Sequence, residues 1–159
     1  AAKALPKVNL ELLATSGHEY EYLGGEVYLE HPHPMPARTA LWLHVGANAA
    51  SRDWHEFGAL RPLPGADSQR VLMASPQLVP MLRRTFRGLP GLEGAYPVDP
   101  ATVAGELANV VKAGYDPAIG VFGTHRFHHA RADDLSCTSG ELVKPAADAF
   151  RSAVAQILR

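Results

Sequence analysis

A chain of 159 residues is long enough to bury a real core and short enough to be one domain. With 47% hydrophobic and 19% charged residues it is not a disordered chain, and a net charge of -1 gives no electrostatic reason to expect nucleic acid or an anionic membrane as partner. Cys137 is the single cysteine, which excludes an intramolecular disulfide and a thiolate metal cluster.

No apolar stretch approaches the length of a membrane span, and no signal peptide is visible. The chain begins Ala1-Ala2-Lys3 without Met, so a processed chain or a piece of a longer one is expected. Val8, Leu10 and Leu12 alternate with Asn9 and Glu11, which predicts a first strand over 8–15. Thr15-Ser16-Gly17 then turns the chain into His18-Glu19, and a short helix is expected between Tyr20 and Glu30, weakened by Gly24-Gly25. His31-Pro32-His33-Pro34-Met35-Pro36 is a loop, because its prolines remove donors and fix φ.

Thr39 to Gly46 reads as a strand apolar on both faces, as in the buried middle of a parallel sheet. Ala47 to Gly65 reads as irregular, and Arg70 to Ala74 as a third strand. Ser75-Pro76 starts a helix through Leu82 and Phe86, restarted at Pro80. A short strand is expected near Ala95 to Val98. Asp99-Pro100 predicts a helix through Val103, Leu107, Val110 and Val111, stopped by Gly114. Ala118 to Gly123 is the fourth strand. Thr138-Ser139-Gly140-Glu141 resembles a capping box before an apolar stripe of Leu142, Ala146, Phe150, Val154 and Ile157, with Pro145 inside the helix. The expected class is α/β: a three-layer, mostly parallel sheet with helices on both faces, residues 1–159 forming a single domain.

Ligands of open α/β sheets bind beyond the carboxyl ends of the strands. Glu19, His44 and His129 each fall at or just past such an end, so parallel strands would bring them to one crevice. Glu oxygen and His nitrogen are zinc ligands, and three protein ligands leave a position for water. Asp133 stands four residues beyond His129, placed to orient it. Each residue also has an ordinary reading: Glu19 and His129 as solvated loop residues, His44 as a hydrogen-bonded core histidine. Lesser candidates are His31 and His33, which the prolines make a solvent loop, and Asp53-Trp54-His55, a substrate-facing loop or a turn cap. Ser16 and Ser136 lack a nucleophile-elbow context. Cys137 is expected to be a small packed residue, and Arg83, Arg84 and Arg87 a solvated helix face.

Thr15-Ser16-Gly17-His18-Glu19-Tyr20-Glu21-Tyr22-Leu23-Gly24-Gly25 resembles the segment of the two-zinc exopeptidases that carries adjacent acidic residues before a Leu-Gly turn. That family includes leucyl aminopeptidases, glutamate carboxypeptidases and glutaminyl cyclases. Leu41-Trp42-Leu43-His44-Val45-Gly46 resembles its strand ending in a ligand Asp before a Gly, and Gly105-Glu106 through Ile119 its late helix and the turn into the last strand. His129 with Asp133 resembles its closing ligand His and following Asp. The resemblance covers nearly the whole chain but only the C-terminal part of such a domain, and so implies a larger domain.

On this resemblance the family's ligand Glu falls on Glu19 and its final ligand His on His129, both kept. Its general-base Glu falls on His18, and its next ligand Asp on His44. Its first ligand His and its bridging Asp would lie upstream of Ala1. What it implies is a zinc-dependent, aminopeptidase-type hydrolase of peptide or amide bonds, with His18 as a substitute base and zinc on Glu19, His44 and His129. The second reading is a non-catalytic binding or assembly module of the same fold. Either way a homo-oligomer or an upstream chain segment is the expected partner, because an open first strand is an aggregation liability.

Overall fold

The computed structural model describes residues 8–31, 34–103 and 105–159. His33, with Pro32, lies outside them. Four strands form one mixed sheet: β1 (Trp42–Val45), β4 (Arg70–Ala74), β5 (Tyr96–Pro97) and β6 (Ala118–Gly123), in the order β1-β6-β4-β5. β1 runs parallel to β6, with His44 opposite Gly120, while β4 runs antiparallel to β6 and parallel to β5. The class is therefore α/β with a mixed sheet. The sheet was expected to be mostly parallel; two of its pairings are parallel, and the central one, β4 with β6, is antiparallel. Sequence period reveals which side chains alternate, but it is blind to strand direction.

Between β1 and β4 the chain makes an antiparallel hairpin, β2 (Arg52–His55) and β3 (Arg61–Ala66), where irregular structure was expected. Two prolines and a glycine in β3 hide the strand signal, and a register irregularity between Arg52 and Trp54 breaks its alternation. Helices are α1 (Leu23–Glu30), α2 (Val79–Thr85), α3 (Leu107–Lys112) and α4 (Gly140–Ile157). A 3₁₀ turn over Pro76–Leu78 precedes α2, which is the restart that Pro80 implies.

Alternate residues of the central strands enter two separate cores. Leu72, Ala74, Ile119 and Val121 pack with Leu82 and Phe86 of the α2 region and with Ala146, Ala149 and Ala153 of α4. Met73 and Ala118 pack instead with Leu107 and Val110 of α3, joined by Leu29 of α1. Of the stripe that its sequence period announces, α4 buries Leu142 and Ala146 and half-buries Phe150, Val154 and Ile157, while Ala149 and Ala153 complete the buried face; Ser139 caps the helix by accepting from the Leu142 amide. Pro145 lies inside the helix, where it deletes one ladder donor.

Two expected elements are corrected. Residues 8–15 are not a strand, and Leu10 and Leu12 are 84% and 92% exposed. Their alternation has no neighbouring strand to meet among the described residues, so β1 lies at the sheet's edge rather than in its middle. Asp99 caps only a turn, its carboxylate accepting from the Ala101 amide. Helix begins later, at Leu107, because Gly105 sits at φ 59 and interrupts it.

Candidate functional site

The parallel pair β1 and β6 ends at Val45 and Gly123, and the chemistry gathers beyond those ends. His44 projects near the end of β1, its ring stacked on Phe122 of β6 at 5.1 Å. Gly120, its register partner, makes room for α3: a Cβ there would lie 2.7 Å from Leu107 Cδ2 and 2.6 Å from Phe122 Cε2. That close approach carries Glu106, the residue before α3, to 3.8 Å from His44 Nε2.

Glu106 also accepts or shares a proton with His18, at 2.8 Å from Nδ1 to Oε1. His18 is delivered by a tight turn in which the Leu23 amide donates to Gly17 O and the Gly24 amide to Ser16 O. Gly24 is required there, since a Cβ would come within 2.7 Å of Ser16 N. Glu21 and Tyr22 take left-handed backbone at φ 55 and 64 within the same turn. The turn leaves Glu19 facing the loop after β6.

That loop carries three histidines in five residues. His129 Nε2 lies 3.3 Å from Glu19 Oε1, joining segments from opposite ends of the chain. This is longer than a charge-assisted hydrogen bond. It is close to the spacing of two ligands on one tetrahedral zinc, about 3.4 Å for metal bonds near 2.0–2.1 Å. His129 is held at φ 60, a conformation uncommon for a residue with a Cβ. His128 stacks on it at 4.0 Å, and His125 stands 6.0 Å from His128. Asp133, expected beside His129, meets His125 at 3.3 Å. The hairpin braces this loop: Trp54 packs edge-on to Phe127 at 5.1 Å, and Glu56 pairs with Arg126 at 3.3 Å.

Protonation divides the histidines. The hydrogen bond to Glu106 raises the pKa of His18 above the ordinary imidazole value, against the opposing effect of its own desolvation. Burial holds His44 below that value, with the charge on His18 adding to the depression and Glu106 opposing it. Glu106 is pushed up by burial, but the hydrogen bond with His18 and the nearby imidazoles outweigh this and leave it lowered. Burial also lowers His128, and His129 and His125 beside it act in the same direction. Neutral His44 and His128 rings have lone pairs free for a cation, whereas His18 is paired with a carboxylate.

The predicted trio is thus brought together in part. Glu19 and His129 meet, His44 meets Glu106, and His18 links to His44 through that same carboxylate. The donor atoms of Glu19, His44 and His129 do not all lie within 4.8 Å of one another; among the described residues one group of three does, His125, Asp133 and Cys137. Glu106 and His125 carry no sequence signal of function beyond their type: one precedes a helix after a glycine, the other is one histidine among several.

The lesser candidates are structural or solvent-facing. Asp53, Trp54 and His55 lie in β2, with Asp53 accepting from the Trp54 amide. His31 ends α1 and is exposed. Ser16 and Ser136 are exposed, and Arg83, Arg84 and Arg87 form an exposed face. Among the described residues no helix is long and apolar enough to cross a membrane. No known protein family matches the chain, and no characterised protein sequence does either.

Proposed function

We propose that the chain is a zinc-dependent, aminopeptidase-type hydrolase of peptide or amide bonds, built on the C-terminal part of a larger two-zinc exopeptidase-like domain. The observation that carries this reading is the meeting of Glu19 with His129 beyond the ends of a parallel strand pair, at the spacing of two ligands. The two cores fed by alternate strand residues support a three-layer arrangement with helices on both faces. Glu19 and His129 would hold the zinc, with water filling its other positions; His44, the third ligand expected from the sequence, is not within ligand distance of both and stands beside Glu106 instead. The ion would polarise a substrate carbonyl and acidify a bound water.

The chain's own groups do the rest. Burial favours the neutral ring of His44, which stands beside Glu106. Glu106 orients His18, and in its neutral form His18 would accept a proton from a water activated there. Glu19 and His129 are 71% and 62% exposed, so the site is open to a substrate end. Zinc-loaded protein is expected to release amino acid from aminoacyl amides or short peptides. Metal-stripped protein, His129→Ala and Glu19→Gln should each lose that release. Bound zinc without turnover on any such substrate would remove the hydrolase reading.

A second reading rests on two separate observations, the exposed apolar residues Val8, Leu10 and Leu12 and the edge position of β1 in its sheet. In it the chain is a non-catalytic binding or assembly module, its partner a second copy or an upstream segment that covers this edge. Sedimentation and cross-linking test it: a monomer at all concentrations contradicts self-assembly.

A further inference from the structure

We propose a second metal site, distinct from the one above, formed by His125, Asp133 and Cys137 and taking zinc or a similar borderline-soft divalent cation. All three belong to the connection between β6 and α4, and their donor atoms lie within 4.8 Å of one another. One imidazole, one carboxylate and one thiol is a donor set that suits zinc, and the thiol disfavours magnesium or calcium.

His125 supplies an independent observation. The residue is only 9% exposed, yet its Nδ1 is buried with no hydrogen-bond partner among the described residues. Nε2 meets Asp133 Oδ2 at 3.3 Å, beyond the usual length of a charge-assisted hydrogen bond and near the spacing of two ligands on one ion. An ion shared with Asp133 would take Nε2 and leave the ring proton on Nδ1, so the ligand argument rests on Nε2, which among the described residues has no closer partner than that carboxylate. Cys137 is buried too, and its thiol donates to Ala132 O at 3.3 Å, a weak contact that is given up readily. On binding, the thiol loses its proton to solvent and the sulfur takes the cation in its place. Asp133 is the exposed member, its side chain 42% accessible, so the ion and a water ligand enter from its side. A thiol nucleophile fits less well, because Cys137 is enclosed and aimed at a backbone carbonyl.

Backbone hydrogen bonds order the loop around Asp133 and Cys137, whose amides donate to Ala130 O and Asp134 O. Asp134 caps the 3₁₀ turn Leu135–Cys137 by accepting from the Ser136 amide, and Thr138 Oγ1 donates to Ala50 O at 2.8 Å. A cation here would tie down the loop that presents His128 and His129.

Cobalt(II) is the probe, because a thiolate ligand gives it a charge-transfer absorption that oxygen and nitrogen ligands do not. Titration of the metal-stripped full chain should produce that absorption, and zinc should then abolish it by displacement. Glu19→Gln with His129→Ala should retain it, since it belongs to the other site. Cys137→Ser and His125→Ala should lose it, with the helical circular dichroism unchanged for Cys137→Ser. Alkylation of Cys137 in mild denaturant should slow at least tenfold with zinc present. Absence of the thiolate absorption in the unaltered chain, or its persistence in Cys137→Ser, overturns the proposal, and the first of these needs no variant to fold.

Discussion

At the scale of single residues, one carboxylate governs two histidines. Glu106 binds His18 at 2.8 Å and stands 3.8 Å from His44, yet the two rings move in opposite directions. His18 is exposed, so the hydrogen bond dominates and favours its protonated form. His44 is enclosed, so desolvation dominates and favours its neutral form. Glu106→Gln removes the attraction while leaving the shape. The titration midpoint of His18, followed by NMR of its ring protons, should then fall toward or below 6.5. The sign follows from what remains: burial lowers a histidine, and nothing of comparable size replaces Glu106. A midpoint unchanged in the variant contradicts the pairing.

At the scale of elements, the site depends on how closely α3 approaches the sheet. Gly120 permits that approach, because Leu107 Cδ2 and Phe122 Cε2 occupy the space of a side chain on β6. Leu107 is fully buried and has nowhere to retreat. Gly120→Ala should therefore cost about 1–3 kcal/mol by overpacking. Urea unfolding measures it, and the same variant should lower the His18 midpoint as Glu106 is displaced. A loss under about 0.5 kcal/mol would show that the helix is not seated on this glycine.

The elements themselves were legible to different degrees. α4 was read from its stripe and cap, β6 from its apolar run between turn residues, and the restart of α2 from Pro80. The first strand was not, since alternation at Val8, Leu10 and Leu12 signals a face but not whether a neighbour exists to cover it. The hairpin was hidden by Pro62, Pro64 and Gly65 in β3. Of the residues singled out, His44 does lie in a strand near its end; Glu19 was placed by a first strand that is absent, and its approach to His129 comes from the turn at Gly17 and the loop after β6. Glu106 and His125 were not legible, because their roles come from approach across the fold rather than from spacing along the chain.

At the scale of the whole molecule, the account rests on the two ends of the chain closing over one rim of the sheet. β1 and β6 run side by side, the turn at Gly17 brings Glu19 to that rim, and the loop after β6 brings His129. β1 is an edge strand, and Leu10 and Leu12 are exposed. Zinc calorimetry on the Cys137→Ala chain, which lacks the thiol of the second site, isolates the first. One zinc per chain should bind, with affinity falling at least tenfold on adding either Glu19→Gln or His129→Ala. Equal binding with and without those two side chains would contradict a shared ion between them.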